Sequence, residues 1–153
     1  HARGRTAAGC DMSVMPPAAP SAHGARSIEV PVLSQAIRDL GVPLSLAVEA
    51  SGFVFISGIP PIDCRTGEIV SGDIGVQCEA ALTALKACLT AAGLTSRSVV
   101  SVRVYAANAG HYATINEVYA RHFGAPLPAR TFVPVGSWPG DFDIEIECVA
   151  VKS

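Results

Sequence analysis

The chain of 153 residues is long enough for one domain with a buried core and too short for two. Half of its residues are hydrophobic, 16% are charged and the formal net charge is -2. With no cluster of lysine or arginine, this composition speaks against a nucleic-acid partner, and no apolar run reaches the length needed to span a membrane.

The first 26 residues, rich in Ala, Gly, Pro, Ser and Arg, have no apolar periodicity and read as a disordered tail. The leading His points to a partly appended segment, with Met12 or Met15 as natural starts, and the stretch lacks the apolar centre of a signal peptide. One domain is expected over residues 27–153. "PLSLAVEA" alternates Leu44, Leu46 and Val48 against Ser45, Ala47 and Glu49, the pattern of a half-buried strand. After the turn at Ser51–Gly52, "FVFIS" is apolar on both faces and reads as a central strand. "PPIDCRTGEIV" is a loop with a turn around Asp63 to Gly67.

Asp73 has the character of an N-cap. Behind it, Ile74, Cys78, Ala81, Leu85, Leu89 and Ala92 recur at helical spacing, and Gly93 closes the helix. "VVSVRVYA" (Val99 to Ala106) alternates as a strand, a shorter helix covers about His111 to Phe123, and strands follow at about Arg130 to Val135 and Phe142 to Val151. The order is ββαβαββ, with the last two strands expected to pair through the "GSWPGD" turn. Two helices on one sheet face make an α+β layer arrangement. Five cysteines with no regular framework and no zinc-like spacing point to reduced thiols in the cytoplasm, and no metal site.

Arg130 opens an apolar, β-prone run just after Pro126 and Pro128. An unpaired buried guanidinium is costly, so it points to water or meets an anion. In the last strand Phe142, Ile144, Ile146 and Cys148 share one face, and Asp143, Glu145 and Glu147 the other. If the last two strands pair, Arg130 approaches Glu145 or Glu147. The residues alone leave open whether this is a solvated ion pair or a functional one. Calcium is disfavoured, since the acidic run has neither the glycine nor the distal glutamate of an EF-hand loop. His111 and His122 read as surface residues of the short helix, the latter favoured by the helix dipole when charged. Asn116 sits mid-helix, where its poor propensity predicts a side-chain contact. Ser57 ends a buried strand just before Gly58, where backbone and hydroxyl groups can face a ligand.

"FVFISGIPPIDCRTGEIVSGDIGVQCEAALTALKACLTAAG", "VYAANAGHYATINEVYARHFGAPLPAR" and "IEIECVAV" together resemble the Rid (reactive intermediate deaminase, YjgF-type) proteins, from about Ser34 to Lys152. The resemblance implies a chorismate-mutase-like fold of the bacillus type: a mixed sheet with two helices on one face, assembled as a homotrimer with ligand clefts between subunits. It also implies hydrolysis of reactive enamines and imines, such as 2-aminoacrylate, to 2-oxo acids and ammonia, without metal or organic cofactor. By the same resemblance Arg130 binds the substrate carboxylate, Glu145 handles the attacking water, and Ser57, Gly58 and Asn116 line the cleft. Phe132 stands where a small residue or cysteine is usual. With Leu33, Ile59 and Pro134 it makes the pocket more apolar, which would suit a bulkier unsaturated substrate of the 2-aminomuconate kind. The competing reading is a protein that binds or senses a small carboxylate without turnover. The ribonuclease activity attached to the family by name finds no basic groove and no interleaved aromatics here.

Overall fold

The computed structural model describes residues 23–153. Its elements are β1 (Arg26–Ile28), α1 (Leu33–Asp39), β2 (Ala47–Ala50), β3 (Phe53–Ile59), α2 (Ile74–Ala91), β4 (Val99–Ala106), α3 (Tyr112–His122), β5 (Ala129–Pro134) and β6 (Ile144–Val151). The tail expected over residues 1–26 lies outside the described residues as far as residue 22, and Arg26 already opens β1. The chain order is therefore βαββαβαββ among the described residues, with one strand and one helix more than the sequence pattern predicts.

The strands form one mixed sheet in the order β1-β2-β3-β6-β4-β5. Strands β4 and β5 run parallel, because α3 between them carries the chain back to the starting end. The other pairings are antiparallel. This overturns the expected pairing of the last two strands: β6 inserts between β3 and β4, and β4 separates it from β5.

Apolar patterning puts the core on one face. Val54, Ile56, Val102, Val104, Ile144 and Ile146 are all at most 3% exposed. They meet Cys78, Leu82, Leu85 and Leu89 of α2 and Ile115 and Val118 of α3 in one cluster. Asp73 caps α2 as expected, its carboxylate accepting from the Val76 N–H at 3.0 Å. Gly93, at φ +74°, closes it; the Leu94 N–H reaches back to the Leu89 carbonyl. The turn at Asp63 to Gly67 is a small hairpin, with Ile62 bridged to Ile69.

Two further expectations are corrected. Ala47 is fully buried on the helix side, opposite Ile56, whereas Val48 pairs with Phe55 on the other face, so the inward set of this strand is inverted. Leu46 is buried just before the strand starts. His122 is not a surface residue: its side chain is 7% exposed and its Nε2 lies 2.9 Å from Glu79, joining α3 to α2.

Among the described residues the opposite sheet face carries no helix. Phe53 and Phe55 are 42% and 46% exposed there, beside half-buried Val48, Val149 and Val151. A buried amide sets where β6 begins. The Asp143 N–H donates to Gln77 Oε1 at 2.8 Å, and Gln77 Nε2 donates to the Gly72 carbonyl and to Asp143 Oδ2. The Asp143 carbonyl in turn accepts from the Ala107 N–H. Gln77→Leu removes these three hydrogen bonds at part-buried groups, and the expected loss is about 1–2 kcal/mol, read as a lower midpoint in urea unfolding.

Candidate functional site

The predicted residues fall into two groups on opposite sides of the sheet. Arg130 and Phe132 lie in register with Val102 and Val104, which face the helices. Glu145 lies in register with Tyr105, and Glu147 with Arg103, on the open face. The expected approach of Arg130 to Glu145 or Glu147 does not occur within the chain. Glu147 Oε1 instead accepts from Arg103 Nη1 and from the Tyr105 hydroxyl, both at 3.0 Å.

Around Arg130 the helix face of β5 meets α3. Tyr112, Asn116 and Tyr119, spaced four and three apart, share one side of that helix. Asn116 Oδ1 accepts from Arg130 Nη2 at 2.7 Å, the contact that its mid-helix place predicts. The guanidinium carbon lies 4.9 Å from the Tyr119 ring centroid and 5.6 Å from that of Tyr112. Phe132 meets Tyr112 edge-to-face, with centroids 5.1 Å apart. Burial pushes the Tyr119 hydroxyl up to about 12. Among the described residues no carboxylate pairs with Arg130. With its faces against rings and one amino group on Asn116, the remaining edge of the fork suits a planar anion.

On the open face a bulge in β3 builds the second group. Ile56 pairs with Cys148 and Ile59 with Ile146, so Ser57 and Gly58 together oppose one residue of β6. Ser57 donates its hydroxyl to the Ser45 carbonyl at 2.7 Å. A Cβ on Gly58 would stand 2.6 Å from Glu145 Oε2, so only glycine admits the carboxylate in its present position. Burial raises the pKa of Glu145; a hydrogen bond from the Trp138 side chain opposes this, and the nearby charge of Glu147 adds to it. A groove of about 260 Å³ on this face takes in Ser57, Arg103 and Glu147, and does not reach Arg130. Among the described residues no three of His, Cys, Asp or Glu gather as metal ligands. No helix there is long and apolar enough to cross a membrane.

Tyr112, Tyr119 and Trp138 escape a reading of the sequence for charged groups. The seven-residue interval between the two tyrosines, with Asn116 inside it, is the signal that could have found the first two.

A mixed sheet covered by helices on one face, with Arg130 on the helix side and Glu145 on the open side, defines an α+β domain. The family model described as Endoribonuclease L-PSP matches residues 35–152. A RutC family protein of Pyrococcus horikoshii is 47% identical over 110 residues, spanning 72% of this chain and 87% of that protein. The 2-iminobutanoate/2-iminopropanoate deaminase of Dermatophagoides farinae is 34% identical over 126 residues, 82% of this chain and 95% of that one. Among solved structures, Escherichia coli TdcF with bound serine is 36% identical with a TM-score of 0.67, covering 72% of this chain and 89% of that chain. The chain belongs to the YjgF/Rid family.

Proposed function

We propose that the protein is a hydrolytic deaminase of reactive enamines and imines of the 2-aminoacrylate type, releasing a 2-oxo acid and ammonia, and that it works as a homotrimer with clefts between copies. The observation that carries this reading is the presentation of Arg130, held flat by two rings and Asn116 with an anion-ready edge unpaired. The deaminase name of a relative similar over most of its length supports the reaction class. The separation of Arg130 from Glu145 across the sheet, and the apolar open face at Phe53 and Phe55, support a site completed by a neighbouring copy.

In this scheme the fork of Arg130 binds the substrate carboxylate. Glu145 of the adjacent copy takes a proton from water as the water oxygen bonds to the imine carbon. The substrate enters as the iminium, so the C=N pair that moves to nitrogen leaves a neutral amino group, and a carbinolamine forms. Glu145 then returns its proton to the amino group; as the carbonyl closes, the C–N pair leaves with ammonia, which takes the hydroxyl proton by way of the Glu145 carboxylate and departs as ammonium. An enamine joins the same path after protonation at its terminal carbon. Gly58 lies against Glu145 and Ser57 lines the groove beside Glu147, whereas Asn116 and Phe132 flank Arg130. An RNA-cleaving role gains no support, since Arg26, Arg38, Arg65, Arg103 and Arg121 each lie against a carboxylate and form no open basic stripe.

The test is release of 2-oxobutanoate from 2-iminobutanoate generated in situ, with Arg130→Ala, Glu145→Gln and a co-assembled mixture of the two. Both variants alone are strongly impaired. Random mixing rebuilds about a quarter of the interfaces with an intact Arg and an intact Glu, and activity returns in that proportion. No recovery on mixing overturns the shared cleft. No acceleration by the unaltered protein, together with tight 2-oxobutanoate binding, makes it a binding protein instead. Gly58→Ala is a milder probe: Glu145 is a flexible partner, so stability changes by less than about 1 kcal/mol. The displaced carboxylate nevertheless lowers kcat by about tenfold or more in the same assay.

A further inference from the structure

We infer that the site selects 2-imino acids bearing an aromatic side chain over those with short aliphatic ones. The inference rests on the deaminase reading and names the substrate class of that same site. The α-carbon of an imino acid is planar and carries three groups: the carboxylate, the imine nitrogen and the side chain. The carboxylate is committed to the free edge of Arg130, and one face of the imine carbon to the water held by Glu145. What remains beside Arg130 for the side chain is the aromatic wall of Tyr112 and Phe132.

That wall is built rather than incidental. Tyr112 is 48% exposed, so much of its ring is uncovered, although it lies only 5.6 Å from the guanidinium carbon. Phe132 is half-buried and packed on the core, and its edge-to-face contact fixes the angle between the two rings. A phenyl group one methylene beyond the α-carbon reaches this corner and completes an aromatic cluster. A methyl or ethyl group stops short and leaves the rings in water. Aromatic pairs of this geometry favour their complexes by roughly three- to tenfold beyond the area they bury.

The experiment compares kcat/KM for 2-imino-3-phenylpropanoate and 2-iminobutanoate, both generated in situ by one amino-acid oxidase from phenylalanine and 2-aminobutyrate. The full chain is compared with Phe132→Leu and with Tyr112→Leu, whose exposed position spares folding. The expected result is a phenyl-to-ethyl ratio above one in the unaltered protein, falling about three- to tenfold in each variant. Hydrolysis of both imines with a ratio at or below one, or a ratio that neither variant moves, overturns the inference and leaves the deaminase reading standing. Acceleration of neither imine overturns both.

Discussion

Glu145→Gln lowers kcat for imine hydrolysis by about 10²–10⁴, with KM nearly unchanged, because the amide keeps the shape of the side chain and cannot accept the proton of the attacking water. The same variant separates chemistry from stability. Burial raises the pKa of Glu145 in the folded chain, so the folded state holds this proton to higher pH than the unfolded state does. The group is therefore harmless to stability below the ordinary carboxylate range. It costs stability as pH rises through its raised value. Glu145→Gln is expected to match the parent in Tm at low pH and to exceed it at neutral pH. The acidic limb of kcat/KM in the parent lies above the ordinary carboxylate range for the same reason. Removing the neighbouring charge with Glu147→Gln moves that limb down, and removing the indole donor with Trp138→Phe moves it up. A limb at the usual carboxylate position, insensitive to both changes, would take Glu145 out of the proton-transfer step.

Arg130→Ala is the second large effect, and it falls on a different parameter. A charge-assisted contact to a carboxylate contributes about 1.5–3 kcal/mol, which is about a 10- to 150-fold rise in KM. The carboxylate is present in ground and transition states alike, so the loss is mainly one of uniform binding. Arg130→Lys restores the charge without the planar fork. It also loses the stacking at 4.9 Å on Tyr119 and the aligned bond to Asn116, so an intermediate KM is expected rather than rescue. Equal KM values for the parent and Arg130→Ala would remove the arginine from the binding step. Steady-state kinetics over a range of oxidase-generated imine concentrations makes the distinction.

Much of this fold was readable from local chemistry. Asp73 ahead of a helical repeat, Gly93 behind it and the strict alternation of Ile144, Glu145, Ile146, Glu147 and Cys148 each state their geometry in a few residues. The first helix does not. It has only seven residues, Val32 before it adopts φ +67° without a side-chain cap, and its Ser34 hydroxyl accepts instead from the Val30 N–H. Strand β1 is three residues long and gains its definition from pairing with β2. The charged residues of the site were legible as types, through the opening arginine of one strand and the acidic alternation of another. Their opposite placement was not, because it depends on which strand enters the gap beside β4. That choice is made by the clamp of Gln77 on Asp143 and by the crossover through α3, two long-range facts that no local window contains. The inversion at Ala47 and Val48 has the same origin, since the open face is itself apolar and both alternations look inward.

The two ends of the sheet bear on how such a molecule stays in solution. Among the described residues β1 is only three residues long, and β5 is flanked by Pro128 and ends in Pro134, neither of which has an N–H to donate. Lateral growth of the sheet, strand upon strand, is thus discouraged at both margins, while its apolar breadth stays available for stacking. Sheets that can extend sideways form fibres; in the proposed homotrimer, closure of a finite bundle is instead what covers Phe53 and Phe55.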